Sequence, residues 1–198
     1  MSSNLQSLDA IKPLGKGEVE TDVVRKEYRD GMRFFEQKEF GQAALALHNA
    51  LLGFEERRDD NGIANASNQL GHVCLAREDF DSALRHYRRA LEICERANDR
   101  MSVIAVLKKI LVTQRGLKRY DEALATAFAI LDLYRDNRDP QGTVDTLEVI
   151  ADVYLDAGQR EKTADTFKTI ASIHKNFGHA TTAEKYLEKA AALLHSGG

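Results

Sequence analysis

The sequence predicts an all-α solenoid of about nine helices stacked as hairpins. Three observations predict it. A pattern of small and apolar residues returns every 40 residues, marked by Asp59, Asp99 and Asp139. Within each copy the apolar residues fall at i, i+3, i+4 and i+7, the spacing that gathers them on one helix face. The 198-residue chain holds only two prolines, Pro13 and Pro140, so long stretches are free to be helical.

The copies align by inspection. Gly31, Phe34, Phe40, Ala43, Leu47 and Ala50 make the first. Leu70-Gly71, Cys74, Phe80, Ala83, Tyr87 and Ala90 make the second. Ile110-Leu111, Gln114, Tyr120, Ala123, Ala127 and Ile130 make the third. Ile150-Ala151, Tyr154, Arg160, Thr163, Phe167 and Ile170 make the fourth. Each reads as two helices. A small residue (Gly31, Gly71, Ala43, Ala83, Ala123) lets two helices approach closely, and the larger residues fill the space between pairs. Asp59, Asp99 and Asp139 each precede a helical run and read as N-caps, because a carboxylate there accepts from free backbone N–H groups. Pro140 follows at a first-turn position, where its missing N–H costs nothing. Breaks between paired helices are expected at Glu39-Phe40-Gly41, Glu78-Asp79, Gly116 and Gly158. Gln114 and Ala127 stand where the second copy has larger or apolar residues, so looser packing or a hinge is expected in the third. The C-terminal stretch from His179 reads as a capping helix, and residues 1–20 as a mobile polar tail with a short turn around Leu5 to Ile11. The expected organisation is that tail followed by one domain, residues 21–198: four helix pairs plus the cap.

Composition narrows the function classes. Lys plus Arg is 28 and Asp plus Glu is 31, a net charge of −3, so no whole-molecule field favours nucleic acid or membrane. The two cysteines, Cys74 and Cys94, lack zinc-ligand or C-x-x-C spacing and read as buried free thiols. No stretch nears the roughly 20 apolar residues a membrane helix needs, and the N-terminus has no apolar signal core. A cytoplasmic protein is expected. No catalytic set, cofactor motif or metal cluster is recognised, so the chain reads as a non-enzyme without cofactor. His174 and His179 bracket a helix end at Gly178 and read as surface residues. The run Arg85-His86-Tyr87-Arg88-Arg89 reads as a solvated outer face around one core Tyr.

The spacing resembles the tetratricopeptide repeat, best in the second copy: Leu70-Gly71 with Cys74, then Ala83 with Tyr87. The resemblance covers roughly residues 21–176. The 40-residue period is similar to the long variant of cell-polarity scaffolds, kinesin light chains and bacterial peptide-sensing regulators. The resemblance implies a right-handed superhelix whose concave face is lined by the first helix of each pair. Carried over copy by copy, it implies groove residues Tyr28, Met32 and Phe35, then Asn65, Asn68, Gln69 and His72, then Lys108 and Arg115, then Asp145, Glu148, Asp152 and Asp156.

Three features of this set bear on function. Tyr28, Met32 and Phe35 make an apolar patch that takes a partner side chain if it is exposed. Asn65, Asn68, Gln69 and His72 offer amide and imidazole groups suited to a peptide backbone, or else a solvated polar face. Asp145, Glu148, Asp152 and Asp156 form an acidic stripe whose self-repulsion costs a few tenths of a kcal/mol per pair. Either Lys108 and Arg115 offset it within the chain, or a partner's Lys or Arg does. A two-carboxylate chaperone-tail clamp is disfavoured, since Tyr28 and Met32 replace the Lys and Asn it needs. The reading is a non-catalytic adaptor that binds a peptide or protein segment. The alternatives are a self-assembling structural protein, a homo-oligomer through Tyr186, Leu187, Leu193 and Leu194 of the last helix, and a regulatory module sensing a short signalling peptide.

Overall fold

The computed structural model describes residues 22–195, so the N-terminal tail and its expected turn lie outside the described residues. Among the described residues there are nine α-helices and no strand. They are α1 (Val23–Glu36), α2 (Phe40–Glu56), α3 (Asp60–Ala76), α4 (Phe80–Arg96), α5 (Arg100–Gly116), α6 (Tyr120–Asp136), α7 (Pro140–Asp156), α8 (Arg160–Asn176) and α9 (Ala180–His195). The 40-residue repeat is therefore two 20-residue halves, since α2 to α8 are each 17 residues long and each gap is three residues.

The chain forms two compact units, one extending to Thr113 and one starting at Gln114. The division falls inside α5. In the first unit consecutive helices α1 to α4 pack side by side, and in the second α6 to α9 do. The first core gathers Tyr28, Leu47, Leu51, Phe54, Leu70, Val73 and Ile93 around the small residues Ala43, Ala50 and Ala66. Burying each large aliphatic stabilises by roughly 1.5–3 kcal/mol. The second unit buries Leu124, Ile130, Leu147, Ile150, Val153 and Ile170. Gln114 is not a packing defect: its side-chain carbonyl accepts from Thr126 Oγ1 at 2.8 Å, so this buried polar group is satisfied.

The expected caps form. The carboxylates of Asp59, Asp99 and Asp139 accept from the backbone N–H of Gly62 at 3.0 Å, Ser102 at 3.1 Å and Gly142 at 2.9 Å. Asp22 and Asp79 do the same at Val24 and Ser82. The breaks expected at Glu78-Asp79 and Gly158 fall between helices, and two others differ. Gly41 lies in the first turn of α2 and Gly116 is the last residue of α5. The left-handed residue that ends each of the first eight helices is instead Lys38, Arg58, Glu78, Asn98, Lys118, Arg138, Gly158 or Gly178. Glu39 N–H donates to Phe34 at 2.8 Å and Lys38 N–H to Phe35 at 2.9 Å, the two-bond pattern that closes a helix C-terminus and demands positive φ just after it. Hydrogen bonding, not residue type, sets the turn.

Glycine matters elsewhere. A Cβ on Gly71 would stand 2.5 Å from the Tyr87 ring, and one on Gly62 would stand 2.2 Å from the Phe54 ring.

Two predictions follow from this packing. Gly71→Ala should destabilise the fold by about 1–3 kcal/mol through overpacking. Gly41→Ala, with nothing within 4 Å of the new Cβ, should stabilise it by roughly 0.5–1 kcal/mol. Thermal unfolding of the two variants should move in opposite directions, and the same direction for both would refute the close-approach argument. Glu78→Gly should raise the unfolding midpoint by roughly 2–4 °C, because it removes left-handed strain of about 1 kcal/mol. An unchanged or lowered midpoint would show that this turn is unstrained.

Candidate functional site

The first-helix stripe of the first unit comes together on α1 and α3. Asn65, Asn68, Gln69 and His72 share one side of α3, as the i, i+3, i+4, i+7 spacing requires. They are not a solvated face. Asn65 is only 6 % exposed, Asn68 7 % and Gln69 8 %, because α3 is flanked by helices on both sides. The Asn68 amide donates to His72 Nε2 at 3.2 Å, and His72 Nδ1 shares a hydrogen with Tyr87 Oη at 3.2 Å. The His72 ring also lies edge-on to Tyr87 and 6.4 Å from Phe35 of α1. His72 is thus a half-buried, held imidazole rather than a loose surface group. Burial pushes the Tyr87 phenol well above its ordinary range, so it stays a neutral hydrogen-bond partner. Asn65 Oδ1 and Ser67 Oγ are buried and have no hydrogen-bond partner among the described residues.

The apolar patch divides. Met32 and Phe35 are half-buried at the edge of the first core, with Phe35 5.8 Å from Phe40. Tyr28 is 2 % exposed and packs edge-on against Phe54, so it is a core residue. The i, i+4, i+7 spacing placed these three on one stripe, and the stripe turns inward at its N-terminal end.

In the second unit the acidic stripe runs along α7, and its members have different surroundings. Asp156 accepts from Arg115 Nη2 at 2.6 Å and Nε at 3.0 Å. Asp145 accepts from Gln141 at 2.6 Å. Glu148 accepts from the hydroxyl of Tyr186 on α9. Asp152 is exposed. The expected ion pair therefore forms at Arg115, while a tyrosine hydroxyl engages Glu148. Nothing in the spacing pointed to Tyr186, whose pairing with Glu148 needs α9 laid beside α7. Lys108 is exposed on the first-unit part of α5.

The remaining candidates settle as structural groups. Arg89 pairs with Glu55, and Arg85 donates to Ser82 Oγ at 2.8 Å, while Tyr87 is buried. Burial lowers the His86 pKa, favouring its neutral form. An open cavity of about 400 Å³ is lined by Asp60, Ile63, Arg89, Glu92, Ile93 and Arg96, none of them an expected site residue. Burial pushes the Cys94 thiol up to about 11 and raises that of Cys74, which suppresses the reactive thiolate. Among the described residues no group of three or more His, Cys, Asp or Glu is placed to hold a metal ion, and no helix is long and apolar enough to cross a membrane. On α9, Leu187 and Leu194 are exposed and Leu193 is half-buried, but Tyr186 is buried against Phe167, His174 and Glu148.

Helix hairpins in a fixed register, with polar groups along the first helices, define a class of repeat proteins that is generally non-catalytic and presents surfaces to other proteins. The chain belongs to the tetratricopeptide repeat family, whose model matches residues 34–96 and 62–136. Solved structures share the fold. One is a putative kinesin light chain from Podosopora anserina with nearly identical repeats, 11 % identical, covering 88 % of this chain and 88 % of that one, at a TM-score of 0.70. Another is the apo form of RapI, 16 % identical over 87 % of this chain and 49 % of that one, at 0.74. A third is a Rap protein complexed with competence and sporulation factor, 19 % identical over 88 % of this chain and 52 % of that one, at 0.58. No curated protein matches the sequence.

The Tyr186–Glu148 contact yields a pH prediction. Burial first, and then the Glu148 carboxylate, push the Tyr186 phenol from 10.0 up to about 12. A phenol whose folded pKa is raised stabilises the fold below its unfolded value and loses that contribution as pH rises through the folded one. Wild type should therefore lose stability between pH 10 and about 12, and Tyr186→Phe should show a shallower loss in alkaline denaturation. Parallel curves would mean that the phenol is not held neutral.

Proposed function

We propose that the chain is a non-catalytic adaptor that binds an extended peptide or protein segment on the first-helix face of its first unit. The acidic stripe of α7, a separate surface on the second unit, favours segments carrying Lys or Arg. The single observation that carries the reading is Asn65 Oδ1: a buried acceptor with no partner among the described residues, one turn from Asn68, whose amide His72 holds. An unsatisfied buried polar atom costs about 1–3 kcal/mol, and an N–H donor from a peptide backbone would remove that cost. Asn68 and Gln69 extend the same row, His72 ends it, and Met32 and Phe35 on α1 offer apolar contact beside it. On α7, Asp152 and Asp145 are exposed, while Asp156 already has Arg115. Tyr28, being core, is left out of the contact set, and Lys108 adds a cation on α5.

The Rap conjugation gene regulator of the plasmid pLS20, solved in complex with the Phr* peptide, supports a narrower form of this reading, in which the segment is a short signalling peptide.

A peptide array probed with the labelled full chain tests the proposal. Wild type should select extended peptides, and Asn65→Ala should weaken the best of them at least tenfold, about 1.4 kcal/mol. The double change Asp145→Lys and Asp152→Lys should erase any preference for basic residues, while Asp121→Lys on α6 should change nothing. Equal binding by wild type and Asn65→Ala would remove the site from α3, and absence of binding to any peptide would sink the adaptor reading.

A further inference from the structure

The helix end between His174 and His179 does not separate them. The two Nδ1 atoms face each other across 3.4 Å. That is long for a hydrogen bond from nitrogen, which prefers about 2.7–3.2 Å. It is close to the span between two nitrogens on one tetrahedral metal ion: with metal–nitrogen bonds of about 2.0–2.1 Å, that span is roughly 3.3–3.4 Å. We infer that His174 and His179 form a two-imidazole site for a divalent transition-metal ion, with the remaining coordination positions open to water or to an external donor.

The repeat supplies an independent argument. Positions 54, 94 and 134, in the last turn of each second helix, hold Phe54, Cys94 and Tyr134, and in the fourth copy the same position holds His174. Positions 59, 99 and 139 hold the capping aspartates, and the fourth copy holds His179. Histidine is not among the favoured caps, and giving up an Asp cap costs about 1 kcal/mol. Two structural positions thus change to the same metal-binding residue in one copy, and they are the two that lie side by side. A carboxylate has also been removed from the spot where the second imidazole stands.

The surroundings hold the pair. The His174 ring stacks on Tyr186, 5.6 Å between centres and 9° between planes, and Tyr186 is fixed by Glu148. The His179 N–H donates to the His174 carbonyl at 2.9 Å, and Gly178 takes the left-handed turn between them at φ +78°. His179 is exposed, so an ion reaches the pair from solvent. The ring centres are 5.7 Å apart, which places both lone pairs near the line joining the nitrogens. The exposed His179 ring therefore turns about its own side-chain bonds to bring both donors onto one ion. Imidazole nitrogen selects Zn²⁺, Ni²⁺ or Cu²⁺ over Mg²⁺ or Ca²⁺.

Calorimetric titration of the full chain with nickel(II) chloride, and separately with magnesium chloride, tests the site. Wild type should bind one equivalent of nickel and no magnesium, and His179→Ala and His174→Gln should each weaken nickel at least tenfold. His195→Ala, an exposed histidine elsewhere on α9, should bind as wild type does. Circular dichroism on each variant separates loss of the site from loss of fold, and His179→Ala, at an exposed position, keeps the test open if His174→Gln fails to fold. Saturable nickel binding that survives His179→Ala, or no binding by wild type, would overturn the assignment.

Discussion

The structure depends on the closeness with which neighbouring helices meet. At position 31 the side chain is absent and Leu47 fills the space; at 71 it is absent and Tyr87 does. A second set runs at the turn from one pair to the next, where Phe54 covers Gly62 and Tyr134 covers Gly142. Each large side chain needs its glycine, and each glycine would leave a void without its large partner. The contacts recur because α2 to α8 are the same length and every turn takes three residues. Changing a turn by one residue would rotate the next helix by about 100° and bring the wrong face against these gaps. Fixed register and paired sizes are therefore one constraint.

That constraint decides which residues are left for binding. The second helices α2 and α8 pack against both of their neighbours, and on α4 Tyr87, Ala90 and Cys94 are fully buried. The first helices carry the polar rows. On α3 the row is drawn nearly out of solvent; the Asn68 amide is held by His72, which Tyr87 holds in turn. On α7 the row stays at the surface, and its carboxylates are partly quenched, by Arg115 at one end and Tyr186 in the middle. The first arrangement suits recognition of a peptide backbone, where geometry matters more than charge. The second suits charge selection, which exposed ion pairs provide at small cost in stability.

Much of this was legible in the sequence, for a physical reason. The capping aspartates and the small residues sit where only a few residue types work, so their 40-residue spacing survives drift elsewhere. The breaks at Glu78-Asp79 and Gly158 fall where the sequence puts them, but Gly41 and Gly116 lie within helices, because a positive φ enforced by two backbone hydrogen bonds tolerates Lys38 or Lys118 as well as glycine and leaves no consistent mark. The depth of the α3 row was also hidden. Asn65 and Gln69 read as surface by composition, and only the helices on either side bury them. Tyr28 was assigned to the patch for the converse reason: periodicity gives a face, and packing decides where along that face the interior begins.

A repeat protein carries its own internal comparison, and departures from it are informative in proportion to what they give up. Most departures here trade one packing solution for another. The third copy reverses the sizes, Leu111 standing where Gly71 does and Ala127 where Tyr87 does, so total volume is kept. Gln114 likewise replaces an apolar position but recovers its hydrogen bond from Thr126. The change from an aspartate cap to His179 gives up a carboxylate acceptor and gains only the long 3.4 Å contact between the two Nδ1 atoms. It surrenders the carboxylate acceptor that caps the other first helices at Asp22, Asp59, Asp99 and Asp139, and sets an imidazole against a second imidazole, itself stacked on Tyr186. A substitution that recovers its lost interaction inside the fold needs no ligand to explain it; one that trades a cap for a long contact with a second imidazole points outside the fold.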